Sequence, residues 1–157
     1  MLSGSYEFLA QDRVIFGRPA ADAVLETAGR LGKQRLLVVA SKTLSRKTDV
    51  VANIRDVLGG RCVGLFDECV EHVPRASILA LAAMVRAHAP DLIVTVGGGT
   101  PIDTVKVMLL AMAAGVTDES GFDAMRIRVD AEGRRIVPSF QGSAFAPNHR
   151  TVNVIWC

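Results

Sequence analysis

Short, wholly apolar runs alternate along this chain with longer segments whose apolar residues recur at helical spacing. The runs that predict strands are residues 14–16, 36–40, 62–66 and 92–96. The segments that predict helices are residues 20–31, 44–58 and 74–90, and a fourth that begins after three glycines. Since strands without a polar face are typical of sheets covered on both sides, the pattern predicts an α/β fold: a Rossmann-like parallel sheet with helices on both faces.

Residues 117–157 are less regular than the rest. Apolar and polar residues alternate over residues 126–138 on either side of Glu132 and Gly133, which predicts a small C-terminal β-hairpin. Residues 139–150 are predicted as a loop, and the apolar VNVIWC of residues 152–157 as a strand. A chain of 157 residues is long enough to bury one core, so residues 1–157 are expected to form a single domain.

Composition argues against several classes of function. The net charge is +2 and the aromatic side chains number one Tyr, six Phe and one Trp, so nucleic-acid binding is not expected. No apolar run approaches the roughly 18–20 residues that cross a bilayer, and the first residues lack the pattern of a signal peptide. We therefore expect a cytoplasmic protein with no membrane partner. Cys62, Cys69 and Cys157 contain no C-x-x-C pair and are expected to be reduced thiols.

The stretch VGGGTPIDTVK, residues 96–106, joins a buried strand to a helix. Ligands bind at this end of the strands in open α/β sheets, and Gly97, Gly98 and Gly99 would let a phosphate approach the backbone and the first helical N–H groups. Thr100 is predicted as the N-cap of the helix, with Asp103 three residues later as the acid of a capping box. A tight structural turn without a ligand is the alternative. The glycine spacing fits neither the usual dinucleotide fingerprint nor a P-loop.

The GGGTPIDTVK of residues 97–106 resembles the GGGSxxDxxK signature of the iron-containing, group III alcohol dehydrogenases. Three further stretches, VIFGRPA, LLVVASKTL and FDECVEHVP, occur in the order found in that family. The resemblance implies a domain that binds NAD or NADP, with Gly97, Gly98, Gly99 and Thr100 holding the pyrophosphate and Asp103 close to the nicotinamide end. It also implies an oxidoreductase acting on a small alcohol or aldehyde.

Two positions depart from the commonest pattern of the family. Many members have an acid that binds the adenosine ribose at the position matched by Ser41, which Lys42 follows here. A ribose 2′-phosphate would be repelled less by serine, so NAD or NADP is expected as cofactor, with Ser41 part of the binding site. The His72-Val73-Pro74 stretch is more similar to the maleylacetate reductases of the family, whereas Asp103 is more similar to the alcohol dehydrogenases, so the substrate class stays open.

The family's iron or zinc is held by one Asp and three His of a separate, all-helical domain. The three histidines here, His72, His88 and His149, form no ligand pair, so the Fe²⁺ or Zn²⁺ ligands and the catalytic residues are not expected in this chain. We expect the nucleotide-binding part of such an enzyme, inactive by itself, with an exposed apolar surface for the missing helices. A homo-oligomer is compatible with the sequence.

Two other hypotheses are compatible with the same residues. One is a stand-alone nucleotide-binding or interaction module without catalysis. The other is a dehydroquinate synthase-like or glycerol dehydrogenase-like activity, because those proteins are similar in the glycine motif.

Overall fold

The structure is a computed structural model that describes residues 13–126, 128–133, 135–136 and 150–154. Its helices are α1 (Ala20–Arg30), α2 (Lys42–Lys47), α3 (Val50–Leu58), α4 (Arg75–His88), α5 (Gly99–Ala113) and α6 (Gly121–Ala124). Its strands are β1 (Leu36–Ser41), β2 (Cys62–Cys69), β3 (Leu92–Val96), β4 (Arg128–Val129), β5 (Arg135–Ile136) and β6 (Arg150–Val154). None of the helices in the described ranges is long and apolar enough to cross a bilayer.

Four strands form one sheet in the order β2-β1-β3-β6, and every neighbouring pair is parallel. Side chains of β1 and β3 alternate between two cores, because successive residues of a strand point to opposite faces. Leu36, Val38 and Ala40 pack with α1 and α3, whereas Leu37 and Val39 pack with α4 and α5. The prediction of a Rossmann-like sheet with helices on both faces is confirmed.

The start of β1 is tied to the start of β3. Both carboxylate oxygens of Asp91 accept backbone hydrogen bonds, from the N–H of Gln34 at 3.0 Å and the N–H of Arg35 at 2.9 Å. The guanidinium of Arg35 in turn donates to the carbonyl oxygen of Ala89, beyond the end of α4. This arrangement aligns the two central strands, so that their carboxyl ends emerge side by side.

Several predicted boundaries are confirmed. The helix predicted over residues 20–31 is α1, and Gly32 follows it at a φ of 65° with the paired backbone hydrogen bonds of a Schellman end. The hairpin is present as the antiparallel pair of β4 and β5. The strand predicted over residues 152–157 is β6, which begins two residues earlier at Arg150 and is described as far as Val154. The loop predicted over residues 139–150 is wrong at Arg150, and residues 139–149 lie outside the described residues.

The strand predicted at residues 14–16 is wrong. Residues 13–19 have no regular structure, and Val14 and Phe16 are 68% and 87% exposed. No strand in the described ranges pairs with this segment. Salt bridges hold it instead, since Arg13 and Arg18 both contact Glu26 of α1, at 2.8 and 2.6 Å. These bridges hold the pKa of the Glu26 carboxyl below its usual value, through the Arg18 contact first and the Arg13 contact second.

The single helix predicted over residues 44–58 is also wrong. The chain forms α2 from Lys42 and α3 from Val50, with Thr48 between them in an extended conformation. The Thr48 hydroxyl donates to the carbonyl oxygen of Leu44 at 2.7 Å and accepts from the N–H of Val50 at 3.4 Å. Because threonine side chains offer the backbone such alternative partners, they favour a break over a continuous helix.

Candidate functional site at the carboxyl ends of β1 and β3

The strand order places a switch of direction between β1 and β3. From β1 the chain passes to β2 on one side, and it then crosses back to β3 on the other side. Helices that follow β1 and β3 therefore leave the sheet in opposite directions, which opens a crevice beyond the carboxyl ends of these two strands. Ser41 ends β1 and Gly97 follows β3, so two of the predicted site residues lie at this crevice.

Gly97 forms the tightest part of the turn. Its φ is 142°, and a β-carbon added to it would lie 2.8 Å from Cγ of Pro101 and 3.5 Å from Oγ of Ser41. Both the backbone angle and the space therefore require glycine at this position. The turn brings the backbone after β3 directly against the side chain that ends β1.

Gly98 lies at the same turn but faces open space. A β-carbon added there would meet no atom within 4 Å. Gly98 is the N-cap of α5 and has no side chain to accept hydrogen bonds from the N–H groups of Gly99 and Thr100. The turn thus combines an open surface with backbone donors and the positive end of a fifteen-residue helix, and this combination fits a phosphate group.

The predicted capping roles of Thr100 and Asp103 are wrong, because α5 begins at Gly99 rather than after Thr100. Thr100 lies inside the first turn, where its carbonyl oxygen accepts a hydrogen bond from the hydroxyl of Thr104 at 2.7 Å. Asp103 lies beyond that turn, and its side chain is exposed, with Oδ2 4.0 Å from a β-carbon built on Gly99. Asp103 is therefore near the glycine turn without capping the helix, which leaves its carboxylate accessible from solvent.

Ser41 has a structural role that the sequence reasoning missed. It is the N-cap of α2, and its Oγ accepts a hydrogen bond from the N–H of Leu44 at 3.4 Å. The signal was available in the sequence, since Ser followed by a helix-forming segment is a common N-cap pattern. The half-buried hydroxyl is thus fixed between the first turn of α2 and Gly97.

Four charged side chains beside Ser41 were not predicted to be partners. Arg46 of α2 contacts Glu68 at 2.8 Å and Asp67 at 3.4 Å, and Lys42 contacts Glu68 at 3.4 Å. The sequence reasoning ended this strand at residue 66, whereas β2 continues to Cys69 and carries both acids. The positive charge expected from Lys42 is therefore balanced by a carboxylate in this structure.

Cys69, at the end of β2, is a free, half-buried thiol. Burial raises its pKa to about 11, the neighbouring Asp67 raises it as well, and a hydrogen bond with Thr104 opposes both effects. The thiol is therefore protonated at neutral pH and is a poor nucleophile. Cys62 is also free, so the expectation of reduced thiols is confirmed for these two, while Cys157 lies outside the described residues.

His72 and His88 lie in different elements of the described chain. His72 is exposed in the loop from β2 to α4, at the same edge as the glycine turn, with a φ of 63° that is followed by 48° at Val73. His88 lies in the last turn of α4, and His149 lies outside the described residues. Within the described ranges, no three His, Cys, Asp or Glu side chains lie together as a metal site.

The glycine turn lies in a part of the chain that matches the sequence profile of a known protein family. The sequence profile of iron-containing alcohol dehydrogenases matches residues 11–140. The chain belongs to the iron-containing alcohol dehydrogenase family. Over 98 residues it is 34% identical to maleylacetate reductase 2 of Cupriavidus pinatubonensis, a stretch that is 62% of this chain and 26% of that protein.

Two solved structures share this fold. The iron-containing alcohol dehydrogenase from Thermococcus thioreducens superimposes with a TM-score of 0.67 at 20% identity, over 95% of this chain and 36% of that one. Sulfoacetaldehyde reductase from Bifidobacterium kashiwanohense, solved in complex with NAD⁺, superimposes with a TM-score of 0.62 at 18% identity. The superposition covers 96% of this chain and 46% of that one. The match to the maleylacetate reductase spans about a quarter of that relative's length.

Among the residues whose burial the structure describes, five large apolar side chains are exposed: Val14, Phe16, Val57, Val70 and Leu110. They lie in four segments: residues 13–19, α3, the position just after β2, and α5. Exposure in separate segments does not by itself define one continuous surface. The predicted apolar surface for further helices stays a prediction.

Proposed function

We propose that this chain binds NAD or NADP at the crevice between β1 and β3, as the nucleotide-binding part of a metal-dependent oxidoreductase for alcohols or aldehydes. The observation that carries the proposal is the turn at Gly97 and Gly98, which is closed towards Ser41 and Pro101 and open towards solvent. The open side fits the dinucleotide pyrophosphate, with the N–H groups of Gly99 and Thr100 as donors. Family membership and the NAD⁺ bound to sulfoacetaldehyde reductase support this assignment.

The division of labour follows from the residues present. Ser41 would contact the adenosine ribose, the glycine turn would hold the pyrophosphate, and Asp103 would lie near the nicotinamide end. The nicotinamide, when bound, supplies or accepts a hydride. No residue of the described ranges is assigned to polarise the substrate oxygen, because no metal-ligand group is found among them. The proposal therefore assigns cofactor binding, and not turnover, to these residues.

The substrate class is proposed from the relatives. The matched proteins include reductases named for maleylacetate and for sulfoacetaldehyde, so a small carbonyl compound and its alcohol are the proposed substrate pair of the whole enzyme. This part of the proposal concerns a whole enzyme of the length of the maleylacetate reductase relative, of which the matched stretch is 26%. The described residues of this chain contain no metal-ligand group.

Calorimetric titration of the chain with NADH, NADPH and ADP-ribose tests the proposal. We expect all three to bind at one site and to compete, because each carries the pyrophosphate that the turn would hold. AMP, which lacks the pyrophosphate, should bind more weakly. Failure of all the dinucleotides to bind at millimolar concentration would leave the glycine motif as a structural turn only.

A further inference from the structure

The parallel pair of β1 and β2 is irregular beside the candidate site. Val39 pairs with Phe66 but Ser41 pairs with Cys69, so two steps along β1 correspond to three along β2. The extra residue interrupts the alternation of side chains. Phe66 and Cys69 both pack towards the core under α4 and α5, although they are three residues apart.

Asp67 and Glu68 are the residues between those two inward side chains. Glu68 would follow Phe66 to the buried face in a regular strand, because residues two apart share a face. Because of the irregularity, Cys69 occupies the inward position and pairs with Ser41. The Glu68 side chain is left 58% exposed near the end of β2. Irregular pairing of this kind is common next to functional sites, where it redirects a side chain.

The cations that meet these acids come from one face of α2. Lys42 and Arg46 are four residues apart and therefore adjacent on the helix surface, and both contact Glu68. Two positive and two negative side chains thus lie beside Ser41 and balance one another. Exposed ion pairs of this type contribute little to stability, so their partners exchange readily.

We propose that Glu68 is a specificity-determining residue that competes with the 2′-phosphate of NADP for Lys42 and Arg46. This inference rests on the proposed binding of a dinucleotide with its adenosine ribose at Ser41. A 2′-phosphate arriving there needs cations, and both candidates are engaged by a carboxylate in this structure. NADH does not need these cations, because its adenosine ribose carries an uncharged hydroxyl at the 2′ position.

The test compares dissociation constants for NADH and NADPH in the chain and in its variant Glu68→Gln. We expect NADPH to bind about fivefold more tightly to the variant, since the exposed pairs that it no longer has to displace are worth up to about 1 kcal/mol. NADH affinity should change less than twofold. The gain should shrink as ionic strength rises, because the interactions are between exposed charges.

Three further variants make the result specific. Asp56→Asn removes an exposed acid from the end of α3, which leads to the amino end of β2 and not to the carboxyl end that carries Glu68, and it should leave both constants unchanged. Arg46→Gln should weaken NADPH alone, and the double variant Arg46→Gln with Glu68→Gln should lose most of the gain. Thermal unfolding of each variant should stay close to that of the parent chain.

The two proposals fail in different ways. If NADH and NADPH bind but Glu68→Gln alters neither or alters both equally, the role of Glu68 is overturned while cofactor binding stands. A gain for NADPH that survives when Lys42→Gln and Arg46→Gln are both combined with Glu68→Gln would also overturn the role, because neither released cation could then be its cause. If neither dinucleotide binds the parent chain, both proposals are overturned.

Discussion

The hydroxyl oxygen of Ser41 lies 3.5 Å from the point that a β-carbon on Gly97 would occupy. The last side chain of β1 and the first backbone turn after β3 are therefore in contact range at the switch point of the sheet. The open face of Gly98 lies in the same turn, one residue after Gly97.

Gly98→Val is expected to abolish dinucleotide binding while the fold is kept. The added side chain enters the open face of the turn, where no protein atom lies within 4 Å and where the pyrophosphate is proposed to bind. Calorimetry with NADH measures the effect. The matched control is Gly60→Val, which also fills open space but lies just before β2, at the amino ends of the strands. Equal affinity in the two variants would contradict the phosphate role of the turn.

Gly97→Ala is expected to destabilise the fold by about 1–3 kcal/mol, because the new β-carbon meets Pro101 and the backbone has a positive φ. Gly98→Ala should cost less than about 0.5 kcal/mol, since it meets nothing and its φ is −89°. Urea unfolding of both variants gives the comparison. Similar free energies of unfolding would show that the turn relaxes around Gly97.

Asp103→Asn is expected to change the free energy of unfolding by no more than about 1 kcal/mol, because the side chain is exposed and does not cap α5. Its proposed place near the nicotinamide end predicts weaker binding of NADH with little change for ADP-ribose, which lacks the nicotinamide. Thermal unfolding and paired titrations measure the two effects. A large loss of stability would indicate a structural carboxylate instead.

Ser41→Asp is expected to shift cofactor preference towards NADH. The parent chain should discriminate between NADH and NADPH by less than about tenfold, equivalent to about 1.4 kcal/mol. A carboxylate at Ser41 repels a 2′-phosphate and accepts hydrogen bonds from the ribose hydroxyls, and Asp also suits the N-cap of α2. The measurement is the pair of dissociation constants at fixed ionic strength. If the parent chain binds NADPH far more weakly than NADH, a residue other than Ser41 distinguishes the two riboses.

The raised pKa of Cys69 predicts that the free energy of unfolding falls at high pH. Its pKa is raised from an ordinary 9.0 to about 11, mainly by burial, so the unfolded chain releases this proton first as the pH rises. The stabilisation is fully present below about pH 9 and is lost towards pH 11, with a size on the order of 1 kcal/mol once partial exposure is allowed for. Urea unfolding at pH 8 and 10.5 should show a steeper loss for the parent chain than for Cys69→Ala. Equal losses would contradict the shifted pKa.

The predicted elements differ from the observed ones where a side chain competes with backbone periodicity. Thr48 offers its hydroxyl to two backbone groups and divides a helix whose apolar spacing continues across the break. Phe16 belongs to an apolar run that resembles a strand, but it is exposed and lies in irregular structure. Apolar spacing records which residues favour burial, and it contains no information about which partner strand is within reach.

The N-terminal boundary of α5 shows the same limit for capping signals. Thr100, Pro101 and Asp103 have the residue types and spacing of a helix start, yet the helix begins at Gly99 and makes no side-chain cap. Gly97 adopts a φ of 142°, which turns the chain tightly enough for the helix to begin earlier. Glycine leaves the backbone angles undetermined in the sequence, and in the fold the space beside Ser41 and Pro101 admits this turn only without a β-carbon.

The class of fold, the family and the position of the glycine turn could be predicted from the residues alone, because each depends on short-range patterns: apolar runs, helical spacing and a compact motif. The packed structure was needed to show that β1 lies beside both β2 and β3, which brings Ser41 to Gly97. It also decided the irregular pairing that leaves Glu68 exposed at the strand end, where Lys42 and Arg46 reach it. Strand order and register depend on packing between distant segments, whose free energies are summed over the whole core and are not written in any one stretch of residues.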